Sequence, residues 1–232
     1  MVQMETLVTS ATLRTLVAVA AALAMLVAVT APSPAQDTVP RADFPSAAQV
    51  RAAMNGADTW TRSLGRPGFV ALGAKPAACR SDVPFAAANE SRKGYYEGGM
   101  SRKRPYYGFV EVTVHRFASA RAANRALKGL PTWLADCARS VEWVCKQCDG
   151  IATIHRTPAA QRRVGAQSVT WNQRSVGLGV ANGRAVAART GATVVVAVAS
   201  HAIGPDSLET PPRPPWGRGL SVARTALARA AG

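Results

Sequence analysis

YYGFVEVTVHRFASARAANRALKGLPTWLADCARS, residues 106–140, changes its hydrophobic period halfway along. In its first part Val110, Val112 and Val114 alternate with Glu111, Thr113 and His115. A period of two puts the valines on one face of a half-buried strand and the polar residues on the other. After Ser119 the period becomes helical. Ala123, Leu127, Leu130, Leu134 and Cys137 recur at spacings of four, three, four and three. That is a stripe facing a core, and Ser119 suits the N-cap before it. Gly129 and Pro131 interrupt the stripe. Proline removes a helical hydrogen bond, which predicts a kink or two short helices.

Upstream, Ser46 is placed to cap a helix over 47–56, with Val50, Ala53 and Met54 on one face and Gly56 at its end. Residues 63–105 are rich in Gly and Pro and read as long loops with short strands. Downstream, strands are predicted at 141–147, 151–156, 167–174, 176–181, 184–189 and 192–199. Asn182-Gly183 and Thr190-Gly191 read as turns. ATVVVAVA, residues 192–199, is continuously apolar and predicts a central strand covered on both faces. A Pro-rich loop at 204–219 leads to a last helix over 219–230, with Leu220, Ala223 and Leu227 on one face. Strands joined by short turns make an antiparallel sheet. The expected fold is α+β, an antiparallel sheet with its helices packed on one side and disulfide-stabilised.

The N-terminus points to export. TLVAVAAALAMLVAVTA, residues 15–31, carries no charge, and Ser33-Pro34-Ala35 supplies a small-x-small step. This reads as a signal peptide over 1–35, cleaved after Ala35. The run is also long enough to span a bilayer, so an uncleaved anchor is the alternative. A linker over 36–45 and one domain over 46–232 follow. The formal charge is +15, with 23 arginines and five lysines. Such charge attracts polyanions. For an exported chain these are wall polymers, anionic lipid headgroups or acidic glycans. Nucleic acid, the usual partner of a basic protein, is not expected outside the cytoplasm.

Cys79, Cys137, Cys145 and Cys148 all follow the leader. An even count in an oxidising compartment reads as two disulfides, with three connectivities open. A zinc site would draw on Cys137, Cys145, Cys148 and His155, but neither a second C-x-x-C nor a paired histidine motif is present. A redox dithiol wants a helix N-terminus, whereas Cys145 and Cys148 lie between strand-like runs. With Asp149-Gly150 as the turn they share a strand, and with Lys146-Gln147 they face each other. No metal and no cofactor is expected.

HRFASARAANRALKGL (115–130), ADCARS (135–140), AARTGATVVVAVASHA (187–202) and a closing helix together resemble the extracytoplasmic sensor-domain family of the actinobacterial receptor kinase PknH and of related secreted or lipid-anchored proteins. The resemblance spans roughly residues 44–230 and rests on pattern and order. It implies an α+β sensor or ligand-binding domain at the cell envelope. It also implies a disulfide from the early loop to the ADC helix, here Cys79–Cys137. The family's second bond ends just after the VVV strand, where this chain has Ser200 or His201. Cys145 therefore lacks that partner, and Cys145–Cys148 is the favoured second pair.

SRKGYYEGGMSRKRPYYGF, residues 91–109, nearly repeats itself and holds all four tyrosines. Basic groups hold anions, and tyrosine rings stack on sugars or cations. Arg92, Lys93, Tyr95, Tyr96, Arg102, Lys103, Arg104, Tyr106 and Tyr107 are thus the candidate contact surface for an anionic envelope polymer or lipid headgroup. The bland alternative is a hairpin with inward tyrosines and solvated charges. His115, His155 and His201 have no recognisable nucleophile motif beside them. Trp133, Trp143 and Trp171 read as core. The expected function is a non-enzymatic, secreted or envelope-associated ligand-binding domain. The alternative is an extracytoplasmic enzyme, such as a thiol-disulfide oxidoreductase using Cys145 and Cys148.

Overall fold

The computed structural model describes residues 39–54, 60–65, 77–80, 83–98, 106–145, 150–177, 179–204 and 209–232. The expected leader lies outside these residues. Eight strands form one antiparallel sheet: β1 (Trp60–Gly65), β2 (Glu90–Gly98), β3 (Tyr107–Arg116), β4 (Arg139–Cys145), β5 (Gly150–Pro158), β6 (Gln167–Val176), β7 (Val180–Thr190) and β8 (Thr193–Ile203). Their spatial order is β1-β2-β3-β8-β7-β6-β5-β4. Two meanders therefore meet where β3 pairs with β8, from Tyr107↔Ala202 to Arg116↔Thr193. The helices are α1 (Ala47–Met54), α2 (Ala120–Asp136) and α3 (Trp216–Ala231).

The α+β class and the antiparallel sheet are as the sequence predicts, but the helices do not share one side. α1 and α3 pack on the face that carries Val110, Val112, Val114, Val195 and Ala197. The opposite face, with Ala185, Ala187, Val194 and Val198, is covered by Ala123, Leu127, Leu130 and Leu134 of α2. The reason lies in β8. Val194, Val195 and Ala197 are all fully buried, and neighbouring residues of a strand point to opposite faces. A strand without a polar side needs cover twice.

Two local expectations, a break into two short helices at Pro131 and a turn at Asn182-Gly183, fail for identifiable reasons. Pro131 lies inside α2, which continues as one helix from Ala120 to Asp136. Leu127, Leu130 and Leu134 are at most 1% exposed. Three such side chains bury enough apolar surface, about 2 kcal/mol each, to outweigh a proline costing about 3 kcal/mol. Asn182-Gly183 is not a turn but lies within β7, opposite His201 and Ser200. A Cβ on Gly183 would come 2.5 Å from Ser200 Oγ. Its glycine serves close strand packing. The chain reverses instead around Gly179, at φ +146°. Thr190-Gly191 does make the predicted turn, with Gly191 at φ +52°.

The caps follow the sequence. The Ser119 hydroxyl accepts from the Ala122 N–H at 3.2 Å. At α1 the Gln49 N–H donates to Ser46 Oγ at 3.2 Å and the Ser46 N–H donates to Gln49 Oε1 at 2.8 Å, a reciprocal capping box. Residues 39–45, read as part of a linker, send Val39 and Phe44 into the core beneath α3. Among the described residues, no helix is long and apolar enough to cross a membrane.

Candidate functional site: a cavity between α2 and the sheet

Register brings the polar alternates of several strands to the α2 side. Lys93 lies opposite Thr113, and Tyr95 opposite Glu111. Ser200 lies opposite Phe109, and Arg156 opposite Gln173. α2 covers only part of this face. Between it and the sheet lies a cavity of about 230 Å³. Leu130 and Trp133 of α2 and Phe85 line it together with Phe109, Ile154 and Trp171 of the sheet. Small residues, Ala181, Ser200 and Ala202, leave room on the sheet.

Into this mostly apolar space project charged groups. Lys93 Nζ lies 2.8 Å from Glu111 Oε1, with side-chain exposures of 5% and 25%. Lys93 also sits 5.5 Å from the centre of the Tyr95 ring. Arg156, buried, donates to Ser140 Oγ at 2.8 Å and to the Cys137 carbonyl at 3.4 Å. Its guanidinium lies 4.9 Å from the Trp133 ring. His115 stacks on Phe85 at 4.5 Å. It shares a 2.7 Å hydrogen bond with Ser91, its direct partner across the strands. A low-dielectric space with fixed charges of both signs strengthens each polar contact a bound molecule would make. It suits a small, largely apolar molecule with a polar or charged end.

The cavity wall is clamped covalently. Cys79 and Cys137 form a disulfide across 58 residues, the pairing that the family resemblance implies. The bond excludes Cys137 from any zinc site, and no cluster of metal-binding side chains occurs among the described residues. Trp133 Nε1 donates to the Ala78 carbonyl at 3.0 Å, fastening the same loop to α2. Cys145 ends β4 and pairs with Gly150, the first residue of β5. Among the described residues the next element is the strand β5, not a helix that would lower a thiol pKa. Cys148, and with it the expected Cys145–Cys148 bond, lies outside the described residues, as do Arg102, Lys103 and Arg104.

The remaining members of the proposed contact surface are divided between the two faces. Lys93 and Tyr95 join the cavity side, and burial, its effect opposed by the Lys93 charge, holds the Tyr95 phenol above its usual range. Arg92 points the other way and donates to the Val39 carbonyl at 2.9 Å. Tyr96 is fully buried, and its hydroxyl donates to the Pro45 carbonyl at 2.8 Å. Tyr106 packs on His201 at 4.2 Å, and Tyr107 is exposed. The three histidines stay apart: His115 beside the cavity, His201 on the α3 side bonded to Pro212, and His155 exposed on β5. Replacing Tyr96 with Phe is expected to cost about 1 kcal/mol, the net worth of one buried hydrogen bond, in a urea titration. Burial pushes its phenol from 10.0 up to about 12. In the wild type the unfolded chain therefore loses this proton first. Stability falls as pH rises from 10 towards 12, and the Phe variant lacks that contribution.

Sequence reading missed Glu111, Arg156, Gln173 and Ser200 as cavity residues, and placed Trp133 and Trp171 only in the core. The available signal was β8, whose two-sided cover forces the polar face of β3 under a helix.

No protein-family model and no curated protein matches this chain. Among solved structures, the extracellular domain of PknH from Mycobacterium tuberculosis matches over 82% of this chain and 93% of its own, at 12% identity and a TM-score of 0.55. An uncharacterised protein from Mycobacterium smegmatis matches over 87% of this chain and 100% of its own, at 11% identity and a TM-score of 0.43. The sheet and helices described above are thus similar in fold to the extracellular domain of PknH.

Proposed function

We propose that the protein is a non-enzymatic, sensor-like domain that works outside the cytoplasm and binds a small molecule in the cavity beneath α2. The observation that carries this reading is the cavity itself, about 230 Å³ between mainly apolar walls that include four aromatic side chains, with the Lys93–Glu111 pair and Arg156 on its surface. The likeness in fold to an extracellular domain supports it. The apolar leader and the disulfide support an extracytoplasmic site, whether the chain is secreted or held by an uncleaved leader. The mixed charges favour a ligand with a polar head and an apolar body.

A cavity-filling variant tests this. Ala181 is half-buried and lines the cavity, and Ala181→Trp would fill much of it. Small aromatic and medium-chain carboxylates and amines are titrated calorimetrically against both proteins. The reading expects at least one saturable binder that weakens about tenfold or more in the variant, as loss of a pocket's apolar contacts does. Binders that lose nothing in a folded Ala181→Trp protein would place the site elsewhere.

A further inference from the structure

On the opposite face of the sheet, two arginines from separate segments lie against one indole, and the charge of a third, Arg213, acts on one of them. The Arg184 guanidinium, on β7, lies 4.8 Å from the Trp216 ring centre, and that of Arg162, from the loop before β6, lies 5.3 Å away. Arg213 precedes Trp216 by three residues in the Pro-rich segment. Arg184 is held in place by its neighbours. Its Nη1 donates to Asn172 Oδ1, and its Nε donates to the Pro214 carbonyl at 3.3 Å. α3 packs against β7 here: a Cβ built at Gly219 would sit 3.7 Å from that of Arg184, an ordinary contact distance. Among the described residues none of the three arginines has a carboxylate within ion-pair distance.

The electrostatics of this arrangement are unfavourable as it stands. Partial burial, and after it the charges of Arg213 and Arg162, hold the Arg184 guanidinium below its ordinary range. α3 starts at Trp216 with no acid in its first turn and no side-chain cap, and Arg218 adds a further cation there. Cations at a helix N-terminus oppose its dipole. The indole face offsets part of the repulsion and fixes the guanidiniums in place. What completes the arrangement is an anion.

We propose that Arg162 and Arg184, set against Trp216, form together with the neighbouring Arg213 a binding site for a phosphate group, separate from the cavity beneath α2. Phosphate fits better than carboxylate. It offers three acceptor oxygens and close to two negative charges, enough for several guanidinium forks, whereas one carboxylate satisfies a single fork. The group can come from a lipid headgroup or from a soluble phosphate ester.

Purified protein is titrated calorimetrically with inorganic phosphate and with glycerol phosphate at constant ionic strength. Arg162→Gln and Arg213→Gln alter exposed residues and should leave the fold intact. Arg125→Gln, exposed on α2, removes the same charge far from the site. Saturable binding is expected, weakened about tenfold in each of the first two variants and unchanged in the third. Equal losses in all three would mean diffuse charge attraction and would overturn the site. So would no saturable binding below about 10 mM. Cosedimentation with vesicles containing phosphatidic acid, whose headgroup is a terminal phosphate monoester, repeated on the same variants, then assigns the source. Site-dependent sedimentation points to a lipid headgroup, and binding of the soluble esters alone points to free phosphate groups. Ala181→Trp should leave all of these results unchanged, so the outcome here and that at the cavity are independent.

Discussion

Replacing both Cys79 and Cys137 with alanine lowers the stability of this fold by about 4 kcal/mol. The bond closes a loop of 58 residues. Cross-linking a loop of that length removes roughly 4 kcal/mol of chain entropy from the unfolded state. Both cysteines are 2% exposed, so the alanines also leave a small void. Urea denaturation measures the change, and for a domain of this size the midpoint temperature should fall by about 8–16 °C. The loss should not be purely thermodynamic. The same junction holds Trp133 to the Ala78 carbonyl and Arg156 to the Cys137 carbonyl, so the cavity wall should loosen and ligand affinity fall with it. A loss under about 1 kcal/mol would show that the unfolded chain is already restricted in this region.

Glu111→Gln is the second large effect. The substitution keeps the shape and leaves the Lys93 ammonium, 5% exposed, facing a neutral amide where a carboxylate stood at 2.8 Å. Removing one partner of a buried ion pair costs about 3–5 kcal/mol. Because the Glu111 side chain is 25% exposed, solvent screening reduces this, and about 2–3 kcal/mol is expected. Lys93→Met should cost less, since the remaining carboxylate reaches water. The double variant Lys93→Met, Glu111→Leu should recover most of the loss, as apolar replacements of buried pairs do. Such a cycle separates two roles for the pair. If the double variant is as stable as wild type but no longer discriminates charged from neutral cavity ligands, the pair serves recognition. A double variant that stays as unstable as Glu111→Gln would assign the pair to the fold alone.

Much of this architecture is visible in residues 106–140 and 187–202. The period-two valines of β3, the leucine stripe of α2 and the continuous apolar run of β8 each determine their element locally. The layering was misjudged because the alternating strand β3 suggested a solvated face. The run in β8 required the reverse, and the two strands are neighbours in the sheet. Whether Glu111 and His115 meet water or a helix depends on that non-local pairing, which no local period records. Pro131 and Gly183 misled for related reasons. Proline and glycine act on the local backbone, whereas at these positions burial of leucines and close approach to Ser200 decide the outcome. The candidate surface at 91–109 was half legible. Lys93 does line a cavity and Tyr95 shares its face, yet the alternation of β2 sends Arg92 and Tyr96 to the opposite face. The arginine cluster at Trp216 was not legible, since Arg162, Arg184 and Arg213 come from three separate segments.

The space beneath α2 is expected to receive a ligand. The most direct measurement uses the indole N–H signals of the five tryptophans, assigned by single Trp→Phe replacements. Trp133 and Trp171 line the cavity, and Trp216 packs on the other face. Adding the strongest binder found by calorimetry should shift the Trp133 and Trp171 signals with one shared affinity and leave Trp216 in place. Shifts at Trp216 with Trp133 and Trp171 unmoved would contradict this expectation and move ligand binding to the arginine face.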